Sequence, residues 1–200
     1  MASPTKTTSI DQIDAWQVVA AGTLITGNAD SIADAYDAIC YIEAALTGDA
    51  SASDGIEIIV EVSYAADDWV TWAEVKGTAE DPATTKTADD PLAAEASVVN
   101  LDDSSTGDFD VPGRKWFILD GTGSNSESVR TESDDGSNAV TLCQDTLRQH
   151  AVDSDCFDRV DDWAVKLPMA ASQFRVLYNN VDATCACHVT TRVSKTTALK

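Results

Sequence analysis

The stretch GIEIIVEVSY, residues 55–64, alternates with a period of two: Ile56, Ile58, Val60, Val62 and Tyr64 are apolar, and Glu57, Glu61 and Ser63 fall between them. Residues two apart share one face of a β-strand, so this run predicts a half-buried strand with one wet face. AICYIEAAL (38–46) repeats the pattern upstream, with Ala38, Cys40, Ile42, Ala44 and Leu46 in phase, and TGDASASDG (47–55) supplies turn residues between the two runs. We expect them to pair antiparallel. The alanines of residues 30–46 also suit a helix, which is the competing reading.

Strand signals continue outward. AADDWVTWAEV (65–75) is an acidic turn followed by Trp69 and Trp72, and KGTAEDPATTKTADDP (76–91) has almost nothing to bury and reads as a linker or long loop. PGRKWFILDGT (112–122) predicts a strand over Trp116, Phe117, Ile118 and Leu119, closed by Asp120-Gly121. SESVRTESDDGSNAVTLCQ (126–144) predicts a hairpin turning at Asp135-Gly136, with Val129 on one strand and Val140 and Leu142 on the other. In SQFRVLYNN (172–180), Phe174, Val176 and Tyr178 share a face, and Asn179-Asn180 reads as a turn. Short strands punctuated by turns, without a pair of long helices, predict an all-β fold. We expect an antiparallel β-sandwich of jelly-roll or immunoglobulin-like type built from residues 15–90 and 161–200. A small β domain over 91–160 would be inserted in it, and residues 1–14 would form an N-terminal arm.

Composition narrows the function classes. The chain has 200 residues, 44% apolar, with 13 basic and 34 acidic side chains and a net charge of −21. That content is enough to bury a core. Nucleic acid is an unsuitable partner, because binding it requires Lys and Arg to neutralise phosphates. So acidic a surface is compatible with a saline, halophilic or marine setting as well as with simple solubility. From Asp161 onward the balance reverses: Asp161, Asp162 and Asp182 face Lys166, Arg175, Arg192, Lys195 and Lys200, a net of +2. This predicts a C-terminal surface, with Arg175, Arg192 and Lys195 as interface candidates, able to dock on acidic neighbours. MASPTKTTSIDQIDAW (1–16) has no apolar signal core, and no apolar run approaches the ~20 residues of a membrane span, so neither a signal peptide nor membrane insertion is expected.

Several local clusters resemble chemical sites. In TCACHVTTRVSK (184–195), Cys185 and Cys187 fall on the apolar face of an alternating strand, and His188 falls on the other. A metal needs ligands converging from one side. A bridge between the two thiols is disfavoured because residues two apart lie ~6.6 Å apart with parallel Cβ directions. They read as small core residues, with a pairing to Cys40 as the alternative. Five cysteines without paired spacing do not make a disulfide framework, and whether Cys143 pairs with Cys156 stays open. DGTGSNSE (120–127) lacks the third glycine and the following helix of a phosphate loop, and reads as a turn. DDSSTGDFD (102–110) groups Asp102, Asp103, Asp108 and Asp110, weak Ca²⁺ candidates whose spacing departs from the EF-hand pattern. His150 and His188 sit in no nucleophile motif, so no catalytic residue and no cofactor is expected. Trp69 and Trp72 read as core plugs or interface anchors, or, if exposed side by side, as a sugar platform.

Three stretches together resemble virion structural proteins of tailed bacterial and archaeal viruses: GIEIIVEVSYAADDWVTWAEV (55–75), GRKWFILDGTGSNSESVRTES (113–133) and FRVLYNNVDATCACHVTTRVSKTTAL (174–199). The resemblance implies a capsid decoration (cement) protein, head fibre, or neck or tail component. Such a protein would be made in the host cytoplasm and carried in the virion. It would act without catalysis through noncovalent, multimeric contacts with the major capsid protein or neighbouring copies. A glycan- or receptor-binding sandwich module is the alternative.

Overall fold

A computed structural model describes residues 6–47, 55–65, 68–77, 84–103, 109, 112–113, 115–118, 125–134, 136–157 and 160–198. Among them there is no helix. The strands are β1 (Lys6–Val19), β2 (Leu24–Thr26), β3 (Asp30–Ser31), β4 (Ala35–Thr47), β5 (Ile56–Ser63), β6 (Trp69–Lys76), β7 (Thr84–Lys86), β8 (Val98–Asn100), β9 (Lys115–Ile118), β10 (Glu127–Asp134), β11 (Ala139–Leu142), β12 (Asp155–Phe157), β13 (Asp161–Lys166), β14 (Gln173–Asn180) and β15 (Ala186–Ala198). The chain is all-β, as the alternation predicts. It forms two compact units, one of Met1–Ala44, Ala50–Glu80 and Asp161–Lys200, the other of Ala45–Asp49 and Asp81–Val160.

The first unit is a sandwich of two sheets, ordered β1-β15-β4-β13 and β2-β14-β5-β6, with β3 also paired to β14. Counting only these eight strands in chain order, the sheets run first-eighth-third-sixth and second-seventh-fourth-fifth. Apart from the step from β5 to β6, each strand crosses to the other sheet. This double Greek-key order is that of a jelly roll.

Ala35–Thr47 and Ile56–Ser63 are both strands, which excludes the helix, but they do not pair with each other as expected. β4 lies between β15 and β13, and β5 between β14 and β6. Each has one core face, and two such strands are satisfied by facing each other across a sandwich as well as by lying side by side. The shared interior contains Ile56, Ile58, Val60 and Val62 of β5, Phe174, Val176 and Tyr178 of β14, Ala38, Cys40 and Ile42 of β4, and Cys187, Val189 and Val193 of β15. Tyr64, expected on that face, lies beyond the end of β5 and is exposed.

Two other expectations change. Residues 6–14 are not an arm: β1 begins at Lys6 and pairs with β15 from Lys6↔Ala198 to Val19↔Cys187. Asn179 and Asn180 are not a turn but the last residues of β14. The buried Asn180 amide donates to the carbonyls of Val19 (3.1 Å) and Cys185 (2.9 Å). The turn comes afterwards, where the Asp182 carboxylate accepts the N–H groups of Thr184 (2.8 Å) and Cys185 (2.7 Å).

The second unit is one sheet, ordered β7-β12-β9-β10-β11-β8. The hairpin of β10 and β11 forms as predicted, with Gly136 (φ 75°) and Asn138 (φ 67°) in the left-handed conformation that its turn requires. Leu92, Val99, Leu101, Phe109, Val129, Val140, Leu142 and Cys156 make its core. Within the expected linker 76–91, Thr84–Lys86 is a strand paired with β12. Its neighbour Thr87 is fully buried, its hydroxyl donating to the Ala151 carbonyl (3.3 Å) and accepting the Ser154 N–H (3.1 Å). A hydroxyl satisfied in this way lets threonine enter a core, which a count of apolar residues misses. Residues 78–83 of that stretch, the Leu119–Gly121 closure, most of the 120–127 turn and Asp135 lie outside the described residues.

Candidate interaction site

The Cys185-Ala186-Cys187-His188 cluster resolves as the alternation predicts. Cys185 and Cys187 are buried, and all five cysteines are free thiols, including Cys40, Cys143 and Cys156. Burial and the nearby Asp14 carboxylate push the Cys40 thiol up to about 12. His188 sits on the other face of β15, opposite Val18 of β1, and burial lowers its pKa from 6.5 to about 4. Among the described residues no group of three His, Cys, Asp or Glu side chains could hold a metal ion. Of the Ca²⁺ candidates, Asp108 and Asp110 lie outside the described residues. Asp102 and Asp103 are exposed, their backbone N–H groups bonded to the Lys86 carbonyl (2.9 Å) and the Thr85 hydroxyl (3.2 Å).

The two tryptophans do not form a platform. Trp69, at the start of β6, is half-buried, with the Arg175 guanidinium 4.3 Å from its ring centroid. Trp72 is the extra residue of a β-bulge, because Thr71 opposes Glu61 while Ala73 opposes Val60. Its indole N–H donates to the Lys166 carbonyl (2.8 Å), tying β6 of one sheet to β13 of the other. One ring is stacked by a cation and the other latches an edge of the sandwich.

The basic candidates are also committed within the chain. Arg175 contacts Glu61 (2.7 Å), Arg192 contacts Glu43 (2.9 Å), and Lys166 contacts Asp37 (3.4 Å). Lys195 sits between Asp11 (2.9 Å) and Asp30 (2.8 Å). Burial alone would lower its pKa, but hydrogen bonds to Asp30 and Asp11 more than offset this and raise it. On the same outer face as Arg175, Glu57 accepts from Lys76 (2.7 Å) and Asn179 (2.9 Å); these bonds hold its carboxyl below the usual range. Of the five bases from Asp161 onward, the four described ones therefore face intrachain carboxylates, and Lys200 lies outside the described residues. The expected cationic docking surface is neutralised in place.

Two buried polar networks escaped sequence reasoning. Asp14 is 2% exposed on the core side of β1. Its Oδ1 accepts the backbone N–H (2.9 Å) and side-chain amide (2.8 Å) of Asn28, and its Oδ2 accepts the Tyr178 hydroxyl (2.7 Å). That hydroxyl also meets Thr191. Gly27 lies so close to this carboxylate that an added Cβ would overlap it and sit 2.9 Å from the Val176 carbonyl. An acid two residues before the buried Trp16 was the available signal. In the second unit, buried His150 Nε2 contacts Glu127 Oε1 (2.6 Å), and the Glu127 carboxylate also accepts the N–H groups of Leu147 (2.8 Å) and Arg148 (3.4 Å). These contacts pin the 145–150 segment to the start of β10. Nothing in the sequence pattern pointed to that pair.

No family model and no curated protein matches the chain. Among solved structures it is similar to a chain from a structure of infectious bursal disease virus, Gt strain, with 10% identity and a TM-score of 0.24 over 97% of this chain and 40% of that one. It is also similar to VP17, a capsid protein of bacteriophage P23-77, with 8% identity and a TM-score of 0.18 over 98% and 99% of the two chains. A chain of the VP16-VP17 complex of the same phage gives 6% identity and a TM-score of 0.21 over 99% and 100%. The chain thus spans less than half the length of the bursal disease virus chain. At these scores the likenesses establish neither fold nor role.

Proposed function

We propose that the chain is a structural protein of a virus particle, a capsid decoration or cement protein of a tailed virus that acts without catalysis. The observation that carries this reading is the jelly-roll strand order, 1-8-3-6 over 2-7-4-5, with a second β unit inserted between the fifth and sixth strands. Viral shells are among the main users of this architecture. The order agrees with the sequence resemblance, which rests on β5, β6, β9, β10, β14 and β15.

The physical properties suit the role. Side chains fill the interior of the sandwich, and internal hydrogen bonds satisfy the Asp14 carboxylate and the Asn180 amide. Such a body is a rigid block whose function lies on its surface. Contacts with shell protein or with like subunits are noncovalent, and those between like subunits, at −21 per copy, are strengthened by salt. The sugar-platform alternative loses its two tryptophans to Arg175 and Lys166.

Immunogold electron microscopy on particles purified from the source tests the proposal. Regular labelling over the shell is expected. Label confined to one vertex or to a tail would replace decoration with a neck, fibre or tail position, and unlabelled particles would overturn the virion reading.

A further inference from the structure

The outer strands of the sandwich are β1 and β13 in one sheet and β2 and β6 in the other. An outer strand offers unpaired N–H and C=O groups to any passing strand, and folded proteins blunt such edges by brevity, charge, bulges or cover. β2 is three residues long. β6 is bulged at Trp72 and ends in exposed Glu74 and Lys76. β13 opens with Asp161-Asp162, and its Lys166 carbonyl takes the Trp72 indole. β1 differs. Thr7–Ile10 carries no charge, proline or bulge, pairs residue for residue with Thr197–Ser194, and is exposed, Ile10 to 70%. The first irregularity comes only after Gln12.

Charge selects the occupant of this edge. All 34 acids lie between Asp11 and Asp182; residues 1–10 and 183–200 contain none. β1 and β15 bring these acid-free ends together in one ribbon. Two copies at −21 each repel wherever acidic faces meet, and the ribbon is where they can meet without carboxylate against carboxylate.

We propose that Thr7–Ile10 is a self-association edge. Two copies pair their β1 strands antiparallel about a two-fold axis at Thr8, so that Thr8 opposes Thr8 and Thr7 opposes Ser9, joining two β1-β15-β4-β13 sheets into one. The contact goes beyond the virion reading and does not depend on it.

Sedimentation equilibrium of the full chain, at low and high salt, tests it. The expected result is a reversible dimer that tightens as salt screens the acidic surfaces. Thr8→Lys with Ile10→Lys places four lysines in the shared ribbon and should weaken the dimer about tenfold or more. Leu147→Lys, at an exposed position in the second unit, should leave it unchanged. Near-ultraviolet circular dichroism checks that each variant is folded. The register is read separately from Thr8→Cys chains and Ile10→Cys chains, both carrying Cys143→Ser and each oxidised alone. The self-opposed Thr8→Cys should form the homodimeric disulfide in preference to Ile10→Cys, whose two copies lie well beyond bridging distance. A wild-type monomer under all conditions, a dimer indifferent to the lysine pair, or cross-links without preference for Thr8→Cys would each overturn the proposal.

Discussion

Replacing Asp14 offers a graded test of how the jelly roll is held together. Its carboxylate accepts three donors, two from Asn28 and one from Tyr178, in a site almost closed to water. A hydrogen bond to a charged group contributes about 1.5–3 kcal/mol, and a buried donor stranded without a partner costs about 1–3 kcal/mol. Asn28 is exposed and can turn to water, whereas Tyr178 keeps Thr191. Asp14→Ala should therefore destabilise the first unit by roughly 3–4 kcal/mol. Tyr178→Phe, which removes one charge-assisted bond, should cost about 2 kcal/mol. Asp14→Asn keeps an acceptor for Asn28 and donates its new amide to the Tyr178 oxygen, whose proton then faces Thr191; about 1 kcal/mol or less is expected. Urea unfolding followed by tryptophan fluorescence reads this unit, because Trp16, Trp69, Trp72 and Trp163 lie in it and only Trp116 in the other. With a slope of about 1–2 kcal/mol/M, Asp14→Ala should lower the midpoint by about 1.5–4 M. If Asp14→Asn costs as much as Asp14→Ala, or if Asp14→Ala costs under about 0.5 kcal/mol, the reasoning fails.

The remaining predictions concern pH, the second unit and the thiols. Burial holds His188 near 4 against 6.5 in the unfolded chain, so between those values the unfolded state binds the extra proton. Stability should fall as pH drops from 6.5 towards 4, by up to roughly 3 kcal/mol, and His188→Gln should remove that part of the slope in a pH series of urea midpoints. Glu127→Ala strands the His150 imidazole and two backbone N–H groups, and should cost the second unit about 3 kcal/mol. Amide exchange should then accelerate first at Leu147 and Arg148, whereas Glu127→Gln should preserve most of their protection. A thiol reagent at pH 8 should titrate one cysteine in the native chain, the exposed Cys143, and all five after denaturation. Rapid native reaction of a second thiol would refute the placement of Cys40, Cys156, Cys185 and Cys187 in the core.

The face each strand presents is written in the residue order. The period of two in GIEIIVEVSY and in ATCACHVTT follows from local chain geometry, so β5 and the inward Cys185 and Cys187, just before and within β15, are legible from alternation alone. Which strands are neighbours is not, because alternation fixes a face and leaves partners open; β4 and β5 illustrate this by lying in opposite sheets. Strands satisfied through hydroxyls, such as β7 with the adjoining Thr87, hide from a search for apolar residues. The charge pattern misleads for a related reason. A run of bases in sequence says nothing of its partners in space, and Arg175, Arg192 and Lys195 meet Glu61, Glu43, Asp11 and Asp30 from distant parts of the chain. The acid at position 14 is legible as an oddity, but its meaning requires Asn28 and Tyr178 to be brought beside it.

The central claim, that this jelly roll is a component of a virus particle, is tested most directly by quantitative mass spectrometry of gradient-purified particles washed at several salt concentrations. The chain is expected in a fixed ratio to the major shell protein and retained by shells after genome release. Finding it only in the soluble fraction, or in trace amounts that vary from one preparation to the next, would contradict the claim.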